Sequence, residues 1–125
     1  MPYVIVTTYH TGKDDLRDRL LMQHMDYLDQ HVGRLLNAGG LVTDDNCTTE
    51  AAMYVLDTED RAEAERFVAN EPFVQGGLIA STSIRRWRKS YYNRERLLAD
   101  PMRTSAAAIK AMGAPPLSGT SAPNK

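Results

Sequence analysis

The alternation of hydrophobic and polar residues predicts a strand followed by a helix at the start of the chain. Residues 3–9, YVIVTTY, form a β-branched and aromatic run of the kind found in strands. From residue 13 to residue 38, apolar side chains recur at helical spacing and form one stripe along a predicted helix. Two glycines, Gly39 and Gly40, are expected to end this helix. The stripe consists of Leu21, Met25, Leu28, Val32, Leu35 and Leu36.

Further strands and one more helix are predicted for the middle of the chain. The predicted elements are strands at 41–44 and 51–57, a helix at 58–70 and a strand at 78–87. Thr58 is the expected N-cap of the second helix, and acidic residues follow it where the helix dipole favours them. Pro72 is expected to break that helix, because the residue before a proline is disfavoured in α geometry.

The predicted order β-α-β-β-α-β indicates an α+β fold of the ferredoxin-like type. With right-handed crossovers, this order gives four antiparallel strands with two helices on one face of the sheet. The other face of the sheet would then be bare, and the first strand carries apolar residues on both of its faces. We therefore expect a homodimer that buries this second face.

Residues 91–125 are interpreted as a C-terminal extension of a domain that spans residues 1–90. A weak helical pattern covers residues 93–112, and the sequence from Gly113 onward has the low complexity of a tail that builds no core. A helix this short is marginal alone, so residues 91–112 are expected to pack across the dimer.

Composition narrows the class of protein to a globular domain. The chain has 125 residues, 42% of them hydrophobic and 25% charged, which suits one domain with its own core. A net charge of −1 argues against nucleic acid as a partner, and no apolar run is long enough to cross a membrane. The lone cysteine, Cys47, and the absence of a signal peptide favour the cytoplasm.

One stretch, ANEPFVQGGLIA at residues 69–80, resembles a known motif. Together with a last strand that closes on IRRWRK, it is similar to the YciI-like (YCII-related) family. Members of that family usually carry Asp-Pro-(Phe/Tyr)-Val-x-Ala-Gly-(Leu/Val), followed by a strand that ends in Pro-Trp or Pro-Phe. The resemblance extends over residues 3–90 and implies a dimeric α/β barrel, in which two ferredoxin-like protomers pack sheet to sheet.

The resemblance also implies a pair of site residues. Family members commonly pair a histidine of the first helix with the aspartate of the motif, and here Glu71 stands at the aspartate's position. Counting back from Gly39 by the family spacing gives Leu28, with His24 one turn earlier and His31 one turn later. The phrase HMDYL resembles the family's HLAYL and favours His24, while His31 stays the second candidate.

Each of these candidates also has an ordinary structural interpretation. A histidine beside an apolar stripe is often only hydrogen-bonded to a neighbour, and Glu71 could be an exposed acid at a helix end. A carboxylate there would face the negative end of the helix dipole, at a cost of roughly 0.3–1 kcal/mol. That cost argues for a partner. Histidine suits proton transfer because its ordinary pKa lies near neutral pH.

The basic residues offer two candidates for binding an anionic substrate. Arg85 and Trp87 lie in RRWRKS at the end of the last strand, where guanidinium groups could hold a carboxylate or phenolate. A solvated strand end is the alternative. Arg17 is expected mainly to form a weak surface ion pair, but it falls on the side of the first helix that carries the candidate histidines and could contact an anionic ligand there. No metal or cofactor is expected, and neither Cys47 nor His10 is assigned a role.

Two functional hypotheses of different classes remain. The first is a small cofactor-independent lyase or isomerase that moves a proton on an aromatic or chlorinated metabolite, with His24 as the acid–base group and Glu71 orienting it. A few relatives in the resembled family are small lyases, including a dehydrochlorinase. The second is a dimeric module or accessory subunit that binds a small molecule without turnover. The distance from Glu71 to the two histidines is the first discriminator.

Overall fold

The structure is a computed structural model that describes residues 1–97 of the chain. Its regular elements are β1 (Tyr3–Tyr9), α1 (Asp14–Gln30), β2 (Leu35–Val42), β3 (Thr49–Leu56), α2 (Arg61–Ala69), α3 (Pro72–Gln75), β4 (Ile79–Arg86), β5 (Tyr91–Tyr92) and β6 (Glu95–Arg96). A 3-10 turn, Val32–Arg34, joins α1 to β2. No helix in the described part of the chain is both long and apolar enough to cross a membrane.

Four strands form one antiparallel sheet in the order β2-β3-β1-β4. Because β1 and β3 occupy the centre, each of the two βα units crosses over to reach a non-adjacent strand, which is the ferredoxin-like topology. The predicted α+β fold is confirmed.

The register of the sheet places one set of side chains against the helices. Ile5 of β1 lies opposite Tyr54 of β3 and Ile84 of β4, so these three side chains share the helix-facing side. The α2 residues Phe67 and Val68 pack onto this surface. The buried core cluster consists of Tyr3, Ile5, Ala52, Tyr54, Leu56, Ala64, Phe67 and Val68.

The first helix ends eight residues earlier than its apolar spacing predicts. It stops at Gln30, not at residue 38, and the glycines Gly39 and Gly40 lie inside strand β2. The prediction of a glycine stop was therefore wrong. Leu35 fits the helical period, but it packs against the core from the strand. Gly40 allows a close approach: a Cβ there would lie 3.1 Å from Cγ2 of Thr49.

The second helix begins at Arg61, and its N-cap is Asp60, not Thr58. The Asp60 Oδ1 accepts a hydrogen bond of 2.9 Å from the backbone N–H of Ala62. Thr58 instead donates its hydroxyl to Glu63 Oε1 at 2.6 Å. The correction moves the cap by two residues and leaves the helix otherwise as predicted.

A second unit consists of Met1 and the chain from Trp87 onward, while residues 2–86 hold the four-stranded sheet and the helices. In the described part of this second unit, Tyr91–Tyr92 pairs with Glu95–Arg96 in a two-stranded hairpin. Asn93 and Arg94 both have positive φ, as a tight hairpin turn requires. The weak helical pattern was therefore wrong at its start, and its remainder lies outside the described residues.

Candidate active site

A cavity of about 360 Å³ lies between α1 and the helix-facing side of strands β2 and β3. Its volume is at the lower end of the range for small-molecule sites. Most of its walls are aliphatic or glycine, with a few polar side chains among them. The lining residues are Tyr9, Arg17, Leu21, His24, Met25, Leu28, Ala38, Gly39, Gly40, Val42, Thr49, Ala52, Tyr54 and Phe73.

His24 stands in this wall and contacts Glu71 directly. The His24 Nδ1 and Glu71 Oε2 atoms are 2.5 Å apart, across 47 residues of sequence. Both residues are buried, with 7% of His24 and 1% of Glu71 exposed. The contact is shorter than the roughly 2.7–2.9 Å that is usual for a charge-assisted N–H···O hydrogen bond. Of the two candidate histidines, the structure brings His24 to the carboxylate.

The backbone around Pro72 explains how Glu71 reaches His24. Helix α2 ends at Ala69, and Glu71 is in an extended conformation with φ −73° and ψ 131°. Pro72 then begins the short helix α3, and Glu71 is its N-cap: Oε2 also accepts from the Phe73 N–H at 3.2 Å. The expected unfavourable interaction of Glu71 with the negative end of a helix dipole was wrong, because its carboxylate lies at the start of the next helix, α3.

The His24 ring is held from one side by Phe73. The two ring centroids are 3.9 Å apart and the rings are nearly parallel, at 5°. Tyr9 packs edge-on against the same phenyl ring, at 5.6 Å. Close packing of α3 on α1 makes this arrangement possible, since a Cβ on Gly76 would lie 2.5 Å from Cδ1 of Leu20. Stacking on Phe73 and the contact with Glu71 together hold the ring in place.

Two tyrosine hydroxyls belong to the same cavity wall and stay protonated over the neutral range. Burial raises the pKa of Tyr54 strongly, and the Glu71 carboxylate adds to this shift. Burial also raises the pKa of Tyr9, against the opposing effect of the neighbouring Arg17 guanidinium. Each hydroxyl is therefore available as a hydrogen-bond donor.

Arg17, predicted to lie on the cleft side of the first helix, does line the cavity. It is half-buried, one turn of α1 before Leu21, and its Nε atom is buried without a hydrogen-bond partner among the described residues. The helix carries it to the same wall as His24, two turns along. Its predicted role in substrate binding stays a prediction.

His31 lies in a different environment. Its Nδ1 is 2.8 Å from the backbone carbonyl of Tyr27, and its ring packs against Phe67. The surrounding groove is polar and holds Arg34, Glu63, Arg66 and Asn70 as well. The structure does not bring His31 to Glu71.

The predicted anion pocket at the end of the last strand is not part of the cavity. Arg85 follows Ile84, whose side chain packs against the core, so Arg85 points to the face of the sheet away from the helices. Trp87 belongs to the second unit, where its ring meets that of Tyr92. Arg85 is not among the residues that line the wall holding His24.

Sequence reasoning missed Tyr9, Tyr54 and Phe73 as members of the site. Tyr54 is three residues into a predicted strand, and the period of two could have placed it on the helix-facing side together with Ala52. Phe73 lies within the quoted motif but offered no sign that it would stack on a histidine. In the part of the chain that the structure describes, no three His, Cys, Asp or Glu side chains converge as metal ligands do.

Comparison with known proteins places this geometry in context. The model of the YCII-related domain matches residues 1–88. A solved structure of 5-chloro-2-hydroxyhydroquinone dehydrochlorinase from Burkholderia phenoliruptrix, in complex with 2,5-dihydroxybenzoquinone, is similar with a TM-score of 0.65 and 24% identity. The match covers 70% of this chain and 93% of that one.

A second solved structure, of a protein from Agrobacterium tumefaciens, has a TM-score of 0.41 and 16% identity to this chain. That match covers 68% of this chain and 89% of the other. No curated protein matches the sequence. The dehydrochlorinase structure thus supports the fold described above.

Proposed function

This chain belongs to the YCII-related domain family, and we propose that it is a small lyase or isomerase that moves a proton on a small metabolite. The observation that carries the proposal is the contact between His24 Nδ1 and Glu71 Oε2, 2.5 Å long, in the wall of an apolar cavity. A buried histidine–carboxylate pair beside an empty space of ligand size is the usual arrangement of a general acid–base group.

The contact with Glu71 assigns a role to each ring nitrogen of His24. A carboxylate accepts a hydrogen bond, so Nδ1 carries the proton and Nε2 is left as the basic nitrogen. When Nε2 takes a proton from the substrate, the negative charge of Glu71 stabilises the imidazolium that forms. Stacking on Phe73 fixes the ring, so this proton transfer needs no reorientation of His24.

The cavity and the structural neighbour support a substrate of one ring in size. The neighbouring enzyme is a dehydrochlorinase of a chlorinated hydroquinone, and the walls here are mainly apolar. In an elimination of this kind, a base removes a proton, the C–Cl bond breaks with its electron pair on chloride, and a double bond forms. Such a reaction needs a base and no oxidant, and His24 can serve as that base.

The proposal can be tested on a panel of chlorinated and unchlorinated dihydroxy- and trihydroxybenzenes in D₂O. Chloride release and deuterium incorporation into the ring are measured by ion-selective electrode and NMR. His24→Gln is expected to lower the rate by about 10²–10⁴-fold, as removal of a general base does. His31→Gln is the matched control, on the same helix, and should keep the rate within a few-fold of the parent protein.

Saturable binding of these compounds with no turnover would support the non-catalytic module instead. Equal losses in the two histidine variants would also contradict the role of His24. Melting temperatures of both variants separate these outcomes from unfolding.

We further propose that the chain acts as a homodimer in which the sheet faces turned away from the helices meet. Val4, Val6 and Met53 lie on that face and are half-buried in the single chain. Leu41, in the edge strand, is 42% exposed. Apolar side chains on this face favour a second copy as cover. Light scattering at micromolar concentration should give the mass of a dimer, and a clean monomer would contradict the proposal.

A further inference from the structure

Several polar atoms close to the histidine–carboxylate pair are buried without a hydrogen-bond partner among the described residues. In the unit that holds the sheet, they are Thr7 Oγ1, Arg17 Nε, Tyr54 Oη and Glu71 Oε1. Leaving such a group unpaired costs about 1–3 kcal/mol. Because native interiors pair nearly all of their buried polar atoms, this concentration of unpaired atoms indicates a missing partner.

Two of these atoms belong to side chains that line the cavity, those of Arg17 and Tyr54. Both atoms are donors. The guanidinium of Arg17 is always charged, and its N–H groups cannot accept. The Tyr54 side chain is 1% exposed, and burial together with the Glu71 carboxylate raises its pKa, so that its hydroxyl keeps its proton. The Arg17 guanidinium also interacts with the Tyr9 hydroxyl, and the Tyr54 hydroxyl lies near Thr7. Arg17 Nε and Tyr54 Oη themselves have no close hydrogen-bond partner among the described residues, so the cavity presents a positive charge and a neutral O–H that can each donate further.

We propose that this cavity selects a small planar molecule that carries an oxyanion, a phenolate, enolate or aromatic carboxylate, and binds its charged oxygen with Arg17 and Tyr54. The inference rests on the proposed function and names the charge and shape of its substrate. Planarity is inferred from the lining: Leu21 and Leu28 of α1 and the glycine segment of β2 give the cavity an apolar lining from both elements. Apolar side chains and glycines of this kind suit the faces of a ring, whereas the few polar side chains suit its oxygen substituents.

The arrangement also gives the two donors a part in the reaction. When a base removes a proton next to a carbonyl or phenol carbon, negative charge moves onto the oxygen. Donors already in place around that oxygen stabilise the charge without reorganisation, as an oxyanion hole does. Arg17 and Tyr54 would thus stabilise the charge that forms when His24 removes the proton.

Benzoate and benzamide make a direct test, since they share shape and differ in charge. With the unmodified protein, isothermal titration calorimetry should give benzoate at least a ten-fold lower Kd than benzamide, because hydrogen bonds to charged groups are worth about 1.5–3 kcal/mol. Arg17→Gln should remove this preference. The matched control is Arg19→Gln, which makes the same change of charge two residues along the same helix on an exposed side chain.

A coloured probe tests the oxygen contact itself. 4-Nitrophenol absorbs in the visible range only as the phenolate, so it is mixed with the protein just below its own pKa. Binding should increase the phenolate absorbance in a saturable way. Arg17→Gln should abolish the increase, and Tyr54→Phe should weaken it, since Phe keeps the ring and loses the donor.

The inference is overturned if benzamide binds as tightly as benzoate, if neither binds, or if Arg19→Gln reduces the preference as much as Arg17→Gln. His24→Gln separates this inference from the proposed reaction. Suppose that the protein shows no turnover, and that its preference for anions depends on Arg17 and persists in His24→Gln. The proposed anion site would then stand, and the proposed enzymatic activity would be wrong. If turnover depends on His24 but the protein shows no preference for anions, the enzymatic activity would stand and the anion site would be wrong.

Discussion

Two histidines on one helix, His24 and His31, have opposite environments, although the sequence offers both as candidates. His24 is buried, stacked on Phe73 and bonded to a carboxylate from 47 residues away. His31 is half-exposed, and its Nδ1 contacts the carbonyl of Tyr27, in its own last helical turn. One side chain is fixed by a distant element, whereas the other satisfies a local backbone group that the helix end leaves unpaired.

The difference shows that the hydrogen-bond partner of a histidine, a buried carboxylate or a backbone carbonyl, distinguishes a candidate catalytic group from a helix cap. Both rings lie among aromatic side chains, and both use Nδ1. What His31 lacks is a buried charge: the nearby acid, Glu63, pairs with Arg34 at 3.5 Å and is about two-fifths exposed. A polar groove of this kind is well solvated, whereas the pair at His24 is shielded from water and its electrostatic interaction is stronger.

The largest expected effect that would sharpen this comparison is on stability. Glu71→Ala should lower the free energy of unfolding by about 2–4 kcal/mol, because it leaves buried donors on His24 and Phe73 unpaired and removes an N-cap. Glu63→Ala should cost only about 0.5–1.5 kcal/mol, since it removes an exposed ion pair and one hydrogen bond. Urea unfolding followed by circular dichroism measures both. Equal losses would contradict the distinction between the two environments.

A spectroscopic difference between the two rings is the next expected effect. The Nδ1 proton of His24 lies in a hydrogen bond to a buried carboxylate and is shielded from water, so its NMR resonance should appear downfield and exchange slowly. His31 donates to a neutral carbonyl in a half-exposed groove and should give no such signal. Glu71→Gln should move the resonance upfield. A downfield signal that survives in His24→Gln would assign it to another group and contradict the interpretation.

The sequence predicted the fold well because hydrophobic period and element order are sufficient for it. The boundary between α1 and β2 was the main error: Val32 and Leu35 fit the helical period, but pairing with β3 overrides that preference and makes residues 35–42 a strand. This error affected the site too. The family spacing was counted from Gly39 as a helix end, which pointed to Leu28, while the true helix ends at Gln30.

The sequence predicted the histidine and the carboxylate of the site, but not the side chains that surround them. The motif around Glu71 and the HMDYL phrase identified the two residues that the structure brings together. The tyrosines Tyr9 and Tyr54 could not be assigned, because their place in the wall depends on the sheet register. The position of Arg85 depends on the same kind of information: the strand period decides which side of the sheet a residue occupies, and Ile84 takes the helix-facing side, so Arg85 lies on the other one.

The smallest expected effect compares Tyr54 in the cavity wall with Tyr27 in the groove. Tyr27 donates to the Phe67 carbonyl at 2.7 Å, so Tyr27→Phe should cost about 0.5–1.5 kcal/mol at neutral pH. Tyr54→Phe should cost nothing there and should raise stability slightly, because it removes a buried hydroxyl that has no close hydrogen-bond partner among the described residues. The free energy of unfolding is measured by urea titration at each pH.

At alkaline pH the difference in stability between the two variants should widen. Burial raises the pKa of both hydroxyls, and that of Tyr54 more strongly. Above about pH 10 the unfolded chain releases these protons while the folded chain keeps them, so stability falls as the pH rises. Tyr54→Phe removes the larger contribution and should therefore lose less stability between pH 9 and 11 than Tyr27→Phe, by the same measurement. Parallel pH profiles for the two variants would mean that Tyr54 is no more shielded from water than Tyr27, and the contrast between cavity and groove would fail.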